Sequence, residues 1–202
     1  QALAREALRL SLKQHFSLTV ALRGNKREGD ATKSSEDFFG TEVLFGMKEI
    51  DWLIGSGGVV SHAPNPMQAA MMMIDGFLPQ GYTKLSLDRT FMLPHAGAFS
   101  QVDEKNALRI IDDLCLMPLG GVLSPISGYG SPGEKMARVT LEPKKGASIT
   151  KEVRFNEIAV LPLAAGEEAE LNVTGHLKLN YGNGYWKAFK KTVTGGQVGI
   201  LV

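Results

Sequence analysis

A short apolar run that ends in glycines, with an apolar helix behind it, constrains this chain more than any other feature. It lies in IDWLIGSGGVVSHAPNPMQAAMMMIDGF, residues 50–77. IDWLI reads as a short apolar strand. Gly55, Gly57 and Gly58 follow it. Asn65 and Pro66 then have the character of an N-cap and a first helical position. The helix they open runs to about Phe77 and is apolar on nearly every side, so it belongs in a core. Strand, glycine loop and helix make an α/β unit, and two readings of the loop stand open. Glycine lets the backbone approach a ligand closely, and successive N–H groups can converge on phosphate oxygens. Glycine also serves a plain tight turn.

Two familiar phosphate motifs fit badly. The dinucleotide pattern G-x-G-x-x-G needs a third glycine where Val60 stands. Its acidic residue about 20 positions on would be Asp75, which falls inside the helix rather than at a strand end. The Walker pattern needs a lysine after the glycines, and none follows. The segment VVSHAPN separates the glycines from the helix. That spacing suits a loop passing under a flat ring, with the helix beside it.

The rest of the chain organises around this unit. Ala4, Leu8, Leu12 and Phe16 recur at helical spacing, giving a helix over residues 2–16. Residues 23–40 are polar and glycine-bearing and read as a loop. A second strand is expected near residues 84–93. It leads into PHAGAFSQVDEK and a third helix capped by Asp103, with Ala107, Ile110, Ile111, Leu114 and Met117 on its apolar face. PLGGVLSPISGYGSPGEK, rich in Gly, Pro and Ser, looks like a boundary. Beyond it KMARVTLEP, TKEVRFNEIAVLPL, EAELNVTG, YWKAFKKTV and QVGILV read as strands. The expected fold is therefore α/β over residues 1–118, followed by a small all-β domain, a barrel or sandwich, over residues 119–202.

Composition narrows the function classes. Of 202 residues, 44% are hydrophobic and 21% charged, which is ordinary for a globular chain that buries a sizeable core. Net charge is +1, so no global field draws the chain to nucleic acid or anionic lipid. The single cysteine, Cys115, cannot form an intramolecular disulfide, and a reducing, cytoplasmic setting is the default. No signal peptide and no membrane-spanning run is evident. The chain starts at Gln1 and goes straight into a helical pattern, as a fragment or a processed product would.

The remaining candidate residues carry less. His62 follows the glycines and His95 follows the second strand; two histidines after neighbouring strands can converge on one site. With a carboxylate they would make a zinc set, but the ligand spacing is missing. Asp88 lies near the end of the second strand, where α/β folds place catalytic acids, yet one carboxylate makes no mechanism. Ser56 and Ser61 lack the G-x-S-x-G context of a nucleophile. Met67, Met71, Met72 and Met73 suit adaptable core packing. Cys115 reads as a small buried hydrophobe. Lys144, Lys145, Lys187, Lys190 and Lys191 fall near turns or strand ends and suit solvated faces.

WLIGSGGVVSHAPNPMQAAMMMIDGF and LSLDRTFMLPHAGAFSQV together resemble the MutL-type accessory proteins of glutamate mutase. The ending TVTGGQVGILV and the upstream RLSLKQHF are similar to that family as well. These proteins look like members of the actin, sugar-kinase and Hsp70 ATPase superfamily. The resemblance implies half of an actin-like, ribonuclease-H-like ATPase lobe. It makes Gly55, Ser56, Gly57 and Gly58 an adenosine motif, the loop beneath adenine and ribose, with Ser61 and His62 beside it and Asp88 and His95 adjacent. The family more often has Thr where Ser56 stands, which keeps the hydroxyl. It supplies no catalytic residue. It implies ATP or ADP with Mg²⁺ in the full-length protein, no cobalamin-binding motif in this chain, and subunits of a coenzyme-B12-dependent mutase as partners. The phosphate- and Mg²⁺-binding hairpin of the superfamily would lie upstream, so the chain alone should bind ATP weakly or not at all. An ATP-dependent small-molecule kinase on the same lobes, or a non-catalytic interaction module, are the alternatives.

Overall fold

A computed structural model describes residues 1–22, 46–175, 179–182, 184 and 187–202. The polar loop expected at residues 23–40 lies outside them. The chain folds as two sheets with helices, an α/β region joined to a β-rich part.

The glycine loop belongs to the larger, five-stranded sheet. Helix α1 (Ala2–Leu22) precedes it, then β1 (Trp52–Gly55), α2 (Gly58–Ser61), α3 (Pro66–Phe77) and β2 (Gly81–Asp88) follow in chain order. β1 and β2 run parallel, with Trp52 opposite Lys84 and Gly55 opposite Leu87. A parallel pair needs a crossover, and α3 supplies it. The two N-cap readings hold: Asn65 Oδ1 accepts from the Gln68 amide at 2.9 Å with Pro66 next, and Asp103 Oδ1 accepts from the Asn106 amide at 3.1 Å. Asp75, the acid the dinucleotide pattern would need, pairs instead with Arg5 at 2.8 Å and ties α3 to α1. Gly76 lets the two helices close up, since a Cβ there would meet Leu8 at 2.7 Å.

Beyond β2 come α4 (Leu93–Phe99), α5 (Glu104–Ile110) and a π-helical turn (Ile111–Cys115), then β3 (Leu116–Ser124). Two expectations change here. β2 ends at Asp88 rather than near residue 93, because the chain turns through Phe91, which takes a left-handed backbone at φ +55. The third helix gives way to the π turn before residue 117. One extra residue per turn rotates the face, so Cys115 is buried while Leu114 is exposed.

The segment expected to be a boundary is a central strand. β3 pairs antiparallel with β2 and parallel with β9 (Gly199–Leu201), and the sheet order is β1-β2-β3-β9-β6, with β6 at Val160–Leu161. A division at residue 118 therefore falls inside β3. The glycines of PLGGVL answer remote neighbours rather than local flexibility. A Cβ on Gly120 would collide with the Gly199 carbonyl, and one on Gly121 with the Tyr82 hydroxyl. The GG-x-x-G turn at residues 195–199 lies across β3, where Gln197 and Val198 donate to the Pro118 and Leu119 carbonyls at 3.0 and 2.8 Å.

The smaller sheet has the order β5-β4-β7-β8, built from β4 (Lys135–Pro143), β5 (Ile149–Arg154), β7 (Glu168–Gly175) and β8 (Phe189–Thr194), all antiparallel. Alternation is plain in β7, where Ala169, Leu171 and Val173 are buried. The five-stranded sheet has a core on each face. Leu85, Leu87, Leu119 and Leu201 meet Ala69, Ala70 and Met73 of α3 on one face. Tyr82, Leu123, Leu161 and Ile200 meet the inward residues of the smaller sheet on the other. Each fully buried Leu, Ile or Met adds roughly 1.5–3 kcal/mol. This double burial holds β1 and β2, and so the loop, in place.

Candidate functional site

β1 delivers the loop by burying Leu53 and Gly55 toward α3. Gly55 is packed: a Cβ there would meet Leu87, Met73 and Val60 side chains, each at 2.9 Å. Trp52 and Ile54 point to the other face, and Trp52 Nε1 donates to Ser86 Oγ at 3.0 Å. The chain then turns at Ser56 and Gly57. Gly57 has φ +101, a backbone that L side chains rarely adopt, and caps the one-turn helix α2. A helix thus does begin at the glycines, short as it is, running from Gly58 into the VVSHAPN segment. Among the described residues Gly57 and Gly58 face open space: beyond their own neighbours in the chain, no atom lies within 4 Å of a Cβ built on either.

The loop is fastened to the end of β2. Ser61, buried, donates through Oγ to the Asp88 main-chain carbonyl at 2.7 Å. Ser56 Oγ donates to Asp88 Oδ2 at 3.3 Å. Asp88 itself is 0% exposed, and its Oδ1 has no hydrogen-bond partner among the described residues. A buried polar atom left unpaired costs about 1–3 kcal/mol, more when charged, so this acid is held at a cost. Its place beside two loop hydroxyls could not be read from residues 27 and 32 positions apart.

His62 is exposed and packs against Phe91, the ring centroids 5.4 Å apart at 54°. The Phe91 backbone strain, of order 1–3 kcal/mol for a left-handed non-glycine, sits beside the loop. Sequence gave no sign of Phe91, since an aromatic at positive φ has no local signature. His95 lies in the first turn of α4, exposed. No group of three or more His, Cys, Asp or Glu able to hold a metal ion occurs among the described residues. A cleft of about 110 Å³ lies between Ser61, Asn65, Pro66, Leu87, Arg89 and Met117 at the start of α3. It is too small to enclose a nucleotide, whose pockets run about 300–1,000 Å³. The larger cavities, about 410 and 520 Å³, lie far from the loop against the β-rich part. The loop is thus an open platform: bare glycine backbone, an exposed serine and an aromatic pair at the rim.

No helix among the described residues is long and apolar enough to cross a membrane. A family model described as MutL protein matches residues 1–115, more than half of the chain and the whole of the platform. No curated protein and no solved structure matches the chain.

Proposed function

This chain belongs to the MutL protein family, and we propose that it is part of an ATP-dependent accessory or reactivating factor for a coenzyme-B12-dependent mutase such as glutamate mutase. The observation that carries the reading is the platform at residues 55–62, inside the family match, with open space over Gly57 and Gly58 among the described residues. Nucleoside binding would use the backbone of Gly57 and Gly58, the Ser56 hydroxyl and the His62–Phe91 rim. Phosphates and Mg²⁺ would need groups beyond this platform, since the described residues offer no metal-ligating cluster. Nucleotide binding and hydrolysis would change how the lobe meets its partner. That change would help assemble the mutase or release damaged cobalamin, in a reducing, cytoplasmic setting. The exposed face of the smaller sheet, with Arg138 and Glu152 opposite each other upon it, is the proposed docking side.

The reading is tested in two steps. Mg²⁺–ATP and Mg²⁺–ADP are titrated into the chain and followed by amide chemical shifts, which detect weak binding. Purified mutase subunits are then offered to the immobilised full-length protein with and without nucleotide. Saturable shifts at residues 55–62 and nucleotide-dependent capture are expected. Absence of both would leave the glycines as architecture and defeat the proposal.

A further inference from the structure

A cavity of about 410 Å³ opens among the described residues between the two sheets, where β3 ends and β5 turns. Its size falls within the range of small-molecule sites, about 300–1,000 Å³. Its origin is local. Met136 has no partner in the β4–β5 ladder, since Lys135 pairs with Arg154 and Ala137 with Val153. An extra residue of this kind bends its strand, and the sheets part there. The chain beyond β5 turns, with the Glu157 amide donating to the Arg154 carbonyl at 3.1 Å and Asn156 left-handed at φ +65. Leu123, Met136, Val153, Leu179 and Tyr181 wall the cavity, and each is at most 7% exposed. Phe155, half-buried, adds a second aromatic ring.

Apolar walls hold water poorly, because a buried water needs about two to four polar partners. An apolar ligand gains by releasing it. One buried hydroxyl interrupts these walls. Tyr181 is 6% exposed, and burial alone pushes its hydroxyl up to about 12, with no hydrogen bond or charge acting on it among the described residues. It is therefore neutral, and able both to donate and to accept. A ligand oxygen would supply the partner it lacks. Charged residues lie at the edge, exposed and of both signs. Arg154 is turned to the Gly133 carbonyl at 2.7 Å, and Glu157 carries the opposite charge. Their fields offset, so the cavity draws in neither an anion nor a cation.

We propose that this cavity is a second ligand site, apart from the glycine loop, for a small uncharged molecule with an aromatic or alicyclic body and one hydroxyl or carbonyl, which bonds to Tyr181. The test titrates 2-naphthol, naphthalene and 2-naphthoate into the whole chain, followed by methyl and amide shifts. The three share a ring body and differ in the polar group: an uncharged hydroxyl, none, and a carboxylate. Saturable shifts are expected at Leu123, Met136 and Val153. 2-Naphthol should bind roughly fivefold tighter than naphthalene, as one net hydrogen bond predicts. It should bind roughly tenfold or more tighter than 2-naphthoate, whose charge would lose its water without a counter-charge. Tyr181→Phe keeps the ring and removes the hydroxyl, so 2-naphthol should fall to the affinity of naphthalene. Ile126→Trp puts a ring into the cavity from a half-buried lining position and should abolish binding of both. It carries the test if Tyr181→Phe fails to fold. 2-Naphthoate binding as tightly as 2-naphthol, an advantage of 2-naphthol that survives in folded Tyr181→Phe, or unchanged binding in folded Ile126→Trp overturns the proposal. So do shifts that spread without saturating over exposed Trp52 and Leu114, which mark adsorption to apolar surface alone. None of these outcomes bears on nucleotide binding at residues 55–62, which is titrated separately.

Discussion

Replacing Gly58 by alanine separates a ligand platform from a turn more cleanly than any other change. Gly58 is the first residue of α2, has no positive φ, and among the described residues has nothing beyond its own stretch of chain within 4 Å of the position its Cβ would take. No described residue therefore resists the methyl. Alanine should even stabilise a helical position by up to about 0.5–1 kcal/mol relative to glycine, a rise of at most roughly 2–4 °C in Tm for a chain of this size. Any ligand lying against the loop backbone would meet that methyl. Loss of contact over even part of a ring should cost tenfold in affinity, about 1.4 kcal/mol. Gly57 is the weaker probe, because φ +101 strains any side chain there and mixes folding with binding. Gly55→Ala is the control. Its Cβ would press on three buried side chains, and overpacking of that kind costs about 1–3 kcal/mol. The assay pairs thermal unfolding by circular dichroism with nucleotide titration by amide shifts. Expected is unchanged or raised Tm with weakened binding for Gly58→Ala, and lowered Tm for Gly55→Ala. Wild-type affinity in a fully folded Gly58→Ala protein would refute the platform.

Further outcomes follow from the core and the interfaces. Gly120→Ala should not give a folded protein: its φ is +125 and its Cβ would collide with the Gly199 carbonyl, so loss of near-ultraviolet dichroism is expected. Met73→Ala, at a fully buried α3 position against β1 and β2, should cost about 2–5 kcal/mol in denaturant unfolding. Burial pushes the Tyr82 and Tyr181 hydroxyls up to about 12 from 10.0. Both favour the neutral form in the folded state, so their contribution is full below the unfolded value of 10.0 and is lost as pH rises toward about 12. Stability measured by urea titration should fall across that window, and Tyr82→Phe should flatten part of the fall.

Much of this fold was legible because its signals are local. Asn65 and Asp103 cap the helices they were expected to cap, since an N-cap answers to an amide three residues on. β4 and β7 fall on KMARVTLEP and EAELNVTG because a half-buried strand writes its alternation into its own residues. The strand–glycine–helix order at residues 50–77 is likewise local, and with the family resemblance it pointed to the loop.

What the sequence could not determine depends on partners far along the chain. Gly120 and Gly121 look like a linker until Gly199 and Tyr82 stand against them; backbone contact across a sheet, not flexibility, demands glycine there. A π turn moved the apolar face of the third helix by one residue, which a regular period cannot anticipate. The loop's chemistry was hidden for the same reason. Ser56 and Ser61 meet Asp88 only because β1 and β2 pair side by side and bury the acid between them. Sequence determined that a glycine loop would sit between a strand and a buried helix. Only the packing of β2 behind it decided that Ser56 and Ser61 are fastened to Asp88, because a side chain's hydrogen-bond partner is whatever stands nearest in space, not the nearest residue in the chain.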